Sequence, residues 1–134
     1  MKRVVLDTSI LIGARGVGDI EGAISVVSVA ELHFGVLVAK DDDERAKRVQ
    51  RLAVIEATFE PLPLGAAVAR EWGRLAAAVT RRGGAPRKRT MDLAIAATAN
   101  VYGARLLTEN LKDFQIIHDL IEMEELRSTE PTSH

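Results

Sequence analysis

Val4-Val5-Leu6-Asp7-Thr8-Ser9 is the stretch from which the fold is read. Residues 3–6 read as a short buried strand, β-branched and continuous, halted by the carboxylate of Asp7. Asp7, Thr8 and Ser9 then offer three N-cap candidates before Ile10-Leu11-Ile12. A strand turning directly into a helix through a polar triplet is the start of an alternating α/β chain. The rest of the sequence repeats the pattern. Residues 24–27 read as a second strand, and Ser28 as the opening of a helix that runs to Lys40. Asp41-Asp42-Asp43 supply the N-terminus of a charged helix over 44–57, and 59–64 a short strand or connector. Residues 65–82 read as a long helix with Val68, Trp72, Leu75 and Val79 on one face, stopped by Gly83-Gly84-Ala85-Pro86.

An alanine-rich helix over 91–102 follows, built to pack closely on a sheet and ended by Gly103. Residues 105–108 form a strand, 110–114 a turn or short helix, and Ile116-Ile117 a further strand. Strands alternating with helices imply a three-layer α/β/α fold around a mainly parallel sheet. Residues 1–126 make one domain, and 127–134 a loose polar tail.

The chain has 134 residues, 47% of them hydrophobic, and a formal net charge of -1, which excludes a disordered chain and a uniformly basic nucleic-acid binder. It has no cysteine, which removes disulfides, thiolate zinc sites and cysteine nucleophiles. The apolar run after Lys2-Arg3 ends at Asp7, too early for a signal peptide, and no stretch is long enough to span a membrane. A cytoplasmic location is expected.

Four acidic residues stand out against the ligand site of an open α/β sheet, which lies outside the carboxyl ends of the strands; Asp7 and Asp113 belong there directly, and Glu31 does if its helix begins at that edge. Asp7 ends the first strand, Glu31 lies in the first turn of the helix after the second, and Asp113 follows the strand 105–108. Asp92, in the first turn of the alanine-rich helix, joins them if that helix starts at the same edge. Each has a plainer explanation: Ser28-Val29-Ala30-Glu31 is a capping box, Asp92 suits a helix dipole, Asp7 an N-cap, and Asp113 a solvated loop. Together those explanations weaken, because Asp7 interrupts an apolar strand and Asp92 sits among alanines. Converging carboxylates repel unless some protonate or a cation neutralises them. With oxygen donors alone, Mg²⁺ or Mn²⁺ is the natural ion, and such ions activate water for attack on phosphodiesters. The three histidines (His33, His118, His134) are scattered, and this chemistry needs none of them.

Four blocks in order resemble the signature blocks of the PIN-domain family: 4–9, 24–32, 92–99 and Leu107-Thr108-Glu109-Asn110-Leu111-Lys112-Asp113-Phe114. The overall size is similar to that of its VapC-like toxins. The resemblance implies a Mg²⁺- or Mn²⁺-dependent endoribonuclease, the toxin of a toxin–antitoxin pair, dimeric and bound by a cognate antitoxin. It implies Asp7, Glu31 and Asp92 as catalytic metal ligands and Asp113 as the fourth acid, with Asn110 an alternative for that place. Thr8, Ser9 and Thr108 would lend supporting hydroxyls. The interval between Asp7 and Glu31 is shorter than in many relatives.

Arg81, Arg82, Arg87, Lys88 and Arg89 lie between Val79 and Asp92 with no acid among them. The glycines and Pro86 make the segment a loop, either a solvated linker or a guide for RNA phosphates. No Gly-Lys-Ser/Thr occurs, so a Walker A nucleotide site is excluded. The competing reading is a PIN-like module that binds RNA or protein without cutting.

Overall fold

The computed structural model describes residues 3–13 and 20–126. Residues 14–19 and the expected polar tail, 127–134, lie outside them. In chain order the elements are β1 (Val4–Leu6), α1 (Thr8–Ile12), β2 (Ile24–Ser25), α2 (Val26–Leu37), α3 (Asp42–Thr58), β3 (Pro61–Leu62), α4 (Ala66–Arg81), α5 (Thr90–Val101), β4 (Arg105–Thr108) and β5 (Met123–Glu125). Two 3₁₀ segments, Pro86–Arg89 and Leu111–Ile117, precede α5 and follow β4.

Every strand pairing is parallel. β4 lies between β1 and β5, with Leu6 opposite Leu107 and Thr108 opposite Glu125. β2 pairs with β3, and Ala23 joins the two parts of the sheet by exchanging backbone hydrogen bonds with Val4 and Leu6. The period-2 alternation of a strand then divides the core. Val5 and Leu106 point to the side covered by α4, α5 and the 3₁₀ segment carrying Phe114 and Ile117. Leu6 and Leu107 point to the other side, against Ile10, Leu11, Leu32, Leu52 and Ile55 from α1, α2 and α3. The expected three-layer α/β/α arrangement is therefore present.

The alanines of α5 are its packing surface. Ala94, Ala96, Ala97 and Ala99 are fully buried, so the helix backbone comes close to the sheet and to α4, and Asp92 is carried to the sheet's edge. Gly103, at φ +65, reverses the chain after α5, a conformation that costs an ordinary residue steric strain. Asn100 ties this layer together by donating to Glu71 Oε2 at 2.7 Å and to the Leu120 carbonyl at 3.1 Å.

Three local expectations are corrected. The strand expected over 24–27 stops at Ser25, because the Ser25 hydroxyl accepts the Val27 N–H at 3.0 Å and caps α2 two residues early. Ser28 is thus inside the helix, and the Ser28–Glu31 capping box does not form. Ile116 and Ile117 belong to a 3₁₀ segment, and the last strand is Met123–Glu125. That strand is an edge strand carrying two glutamates, so its composition hid it. The segment 86–89, expected as a loop, is a 3₁₀ turn that Pro86 opens with its preset φ.

Candidate active site

Asp7 stands at the carboxyl end of β1 and is 4% exposed. It occupies the N-cap position of α1, yet its side chain makes no capping bond. Its Oδ2 instead accepts two hydroxyls, Ser9 Oγ at 2.7 Å and Thr108 Oγ1 at 2.9 Å. Both hydroxyl protons have fixed directions. Ser9 Oγ accepts the Glu109 N–H at 3.0 Å, and Thr108 Oγ1 accepts the Asn110 N–H at 3.0 Å. Each hydroxyl therefore receives from the backbone and donates to the carboxylate. Hydrogen bonds to an ionised acceptor are the stronger kind, so the carboxylate is held in one orientation.

Glu31 is positioned from the opposite helix. Its Oε1 accepts the Thr8 hydroxyl at 2.6 Å, and Thr8 Oγ1 also lies 2.9 Å from Ser28 Oγ. Ser28 and Glu31 are three apart in α2 and share one helix face. Sequence reading assigned that spacing to a capping box, and so missed Ser28 as a member of the site.

Asp92 and Asp113 come from the other side, half-buried in the first turns of α5 and of the 3₁₀ segment after β4. The Asp92 carboxyl is pushed up to about 6, first by burial, then by the charges of Asp7 and Asp113. Arg89 opposes the rise, and Glu31 adds to it. The four acids thus share one electrostatic neighbourhood. Arg89 is their built-in counter-charge. Its Nη1 lies 3.1 Å from Asp113 Oδ1 and 3.6 Å from Asp92 Oδ2.

The donors are all oxygens, the set a hard divalent cation prefers. As placed, however, no three acidic or histidine side chains among the described residues close on a common point tightly enough to hold an ion. The guanidinium of Arg89 reaches both Asp92 and Asp113. Of the two contenders for the fourth place, Asp113 is coupled to Asp92, whereas Asn110 is exposed and enters the site through its N–H.

The basic residues do not act together. Arg82 is engaged by Asp119 at 2.7 and 3.1 Å and by the Ile116 carbonyl at 2.8 Å, so it braces the 3₁₀ segment. Asp119 lies 37 positions along the chain, outside any window in which the basic run was read. Arg89 faces the acids. Arg81, Arg87 and Lys88 are exposed. Lys112, which the sequence reading passed over, lies beside Asp113 and joins Lys88 on one cleft.

The PIN-domain family model matches residues 4–119. Ribonuclease VapC5 of Mycobacterium tuberculosis is 36% identical over 132 residues, covering 92% of this chain and 93% of that protein. Ribonuclease VapC4 of the same organism is 31% identical over 127 residues, covering 90% and 95%. Among solved structures, that of VapBC-5, a member of the VapBC family of toxin–antitoxin systems from Mycobacterium tuberculosis, superposes with a TM-score of 0.80 at 33% identity, covering 95% of this chain and 99% of that one. The VapBC2 structure from Rickettsia felis, bound to a DNA fragment, shares the fold with a TM-score of 0.75 at 23% identity, over 92% and 98%. A parallel sheet whose carboxyl edge gathers Asp7, Glu31, Asp92 and Asp113, together with these matches, makes the chain a member of the PIN-domain family.

Proposed function

We propose that this protein is a Mg²⁺- or Mn²⁺-dependent endoribonuclease that hydrolyses RNA phosphodiester bonds, and that it is the toxin of a toxin–antitoxin pair. The observation that carries the catalytic reading is geometric: Asp7 ends β1 beside Thr108 of β4, Glu31 is bonded to Thr8, and Arg89 bridges Asp92 and Asp113, with the Asp92 carboxyl raised first by burial and then by the other acids. Such crowding is costly to the fold, and it is the arrangement a divalent cation relieves.

Asp7, Glu31, Asp92 and Asp113 are the residues that would hold the ion, which when bound supplies charge neutralisation at the phosphate and activates water for in-line attack. The chain's own residues prepare for this. Ser9 and Thr108 both bind Oδ2 of Asp7 and so fix its carboxylate plane. Thr8 steers Glu31 toward the same edge of the sheet. The Asp92 carboxyl, raised to about 6 first by burial, must be ionised to hold the ion. Arg89 supplies a cation that can turn from the acids to a substrate phosphate.

The toxin role and a cognate antitoxin are supported by the relatives and neighbours named above, whereas a homodimer rests on the family resemblance alone. The cytoplasm is the expected location, and among the described residues no helix is long and apolar enough to cross a membrane. A non-catalytic binding module is the weaker reading, because binding alone does not require four acids near one another at the edge of a sheet.

The test incubates purified protein, freed of any partner, with total RNA in Mg²⁺, Mn²⁺ or EDTA, beside Asp7→Asn and Asp92→Asn. Metal-dependent cleavage by the wild type and its loss in both variants is expected. Equal cleavage by all three proteins, or cleavage that EDTA leaves intact, would sink the mechanism.

A further inference from the structure

Next to Asp113, a cleft of about 480 Å³ opens between the end of α4 and the two 3₁₀ segments. Its floor includes Val79 and Ile116, and its rim includes Lys88, Arg89, Lys112 and Asp113. The rim cations divide into two kinds. Arg89 is turned to Asp92 and Asp113. Lys88 and Lys112 are exposed, and among the described residues no side-chain hydrogen bond or ion pair engages either. They approach the cleft from separate parts of the chain, one from the turn before α5 and the other from the turn after β4.

Two ammonium groups flanking an apolar floor suit a ligand with one anionic and one flat apolar part, which describes a nucleotide unit. The position of the cleft narrows the choice further. Asp113 and Arg89 belong both to the cleft wall and to the acidic cluster, so a strand whose phosphate lies at the acids has its neighbouring nucleotide at the cleft. Compact ammonium charges are suited to phosphate, and they read charge without reading base identity.

We propose that this cleft is a nucleotide subsite for the RNA strand, in which Lys88 and Lys112 hold the phosphate flanking the scissile bond and the half-buried Ile116 side chain at the floor receives the adjoining nucleoside. This rests on the ribonuclease reading of the neighbouring acids. It divides the basic run as well: Lys88 works with Lys112, while Arg81, Arg82 and Arg87 stand outside the cleft.

The experiment measures binding of a labelled single-stranded RNA by fluorescence anisotropy across a series of salt concentrations. All proteins carry Asp7→Asn so that the RNA stays intact. Lys88→Ala with Lys112→Ala is compared with Lys40→Ala plus Lys47→Ala, a pair distant from the cleft, and with the arginine replacements Lys88→Arg plus Lys112→Arg. Each lost phosphate contact lowers the salt slope by about 0.7 for a single strand, so the cleft pair should lower it by about 1.4. Affinity should fall about tenfold, the distant pair should leave the slope in place, and the arginine pair should restore it. Circular dichroism melts check that each variant is folded. An unchanged slope in the cleft pair, including the case in which it binds a protein partner more weakly, overturns the proposal, as does an equal loss in the distant pair. Cleavage by the unmodified protein is assayed separately. Metal-dependent cleavage with an unchanged slope rejects the subsite alone, and a lowered slope without cleavage rejects the ribonuclease reading alone.

Discussion

The Thr108 hydroxyl donates to Asp7 Oδ2 at 2.9 Å, across 101 positions of sequence. The contact exists because β1 and β4 are parallel neighbours in register, Leu6 beside Leu107, so both strands deliver their next residues to the same edge. It joins a strand-end carboxylate to a strand-end hydroxyl, and the Asn110 N–H fixes the hydroxyl's direction.

Thr108→Val keeps the shape of this buried side chain and removes both bonds. Leaving the Asn110 N–H without its acceptor and Asp7 Oδ2 with the Ser9 hydroxyl alone costs about 1–3 kcal/mol, so the melting temperature should fall. RNA cleavage should fall with it as Asp7 loses its orientation. Thr108→Ser should recover most of both. Adding Ser9→Ala to Thr108→Val should cost other than the sum of the two, because both hydroxyls serve one oxygen. Thermal melts and single-turnover cleavage of the four variants decide the point.

Asp92 sets a pH dependence whose sign is opposite to that of a salt-bridged acid. Its carboxyl rises from an ordinary 3.8 to about 6 in the folded protein. Between those values the folded chain binds the proton more tightly than the unfolded chain, so stability falls as pH climbs from 4 to 6. Above 6 the deficit is complete. Asp92→Asn should therefore melt higher than the wild type at pH 7.5 and near it at pH 4, while losing cleavage. A wild type that melts higher at pH 7.5 than Asp92→Asn would contradict this. Cleavage by the wild type should rise between pH 5 and 7, as the carboxylate becomes available.

Added Mg²⁺ or Mn²⁺ should raise the wild-type melting temperature at pH 7.5, since a ligand of the folded state stabilises it by mass action. The gain should shrink in Asp92→Asn and in Asp113→Asn. Equal gains in all three proteins would place the ion elsewhere.

Arg89 competes with that ion for Asp92 and Asp113. Arg89→Ala should lower the melting temperature measured in EDTA at neutral pH, because the acids lose their counter-charge. The same variant should bind the divalent ion more tightly by calorimetry. Weaker binding of the ion would show that Arg89 helps to build the site.

Arg82→Ala tests how the basic run divides between bracing the fold and binding RNA. Its partners Asp119 and the Ile116 carbonyl predict a small fall in melting temperature and an unchanged RNA salt slope. A lowered slope would return Arg82 to the RNA.

The amino-acid sequence alone determined the layers and the chemistry of the edge. Hydrophobic period shows where Val4-Val5-Leu6 and Leu106-Leu107 are strands, and the alanines of 94–99 show a helix meant for close packing. An Asp ending an apolar run, and another among alanines, advertise their own desolvation. Local signals of this kind are written in consecutive residues, so they survive without a structure. Tertiary structure decided everything that depends on what arrives from elsewhere. Ser25, and not Ser28, caps α2, because β2 finds only two residues of β3 to pair with. The charged strand Met123–Glu125 is stable because β4 offers it a parallel edge. The five cations at 81–89 look alike in sequence, yet Arg82 meets Asp119, Arg89 meets the acids, and Lys88 meets the Lys112 cleft. Charge is a local property of a residue, whereas its partner is a property of the fold. The sequence puts Asp7 and Asp113 after strand ends, and only the folded chain brings Glu31 and Asp92 to them and assigns each cation its counterpart.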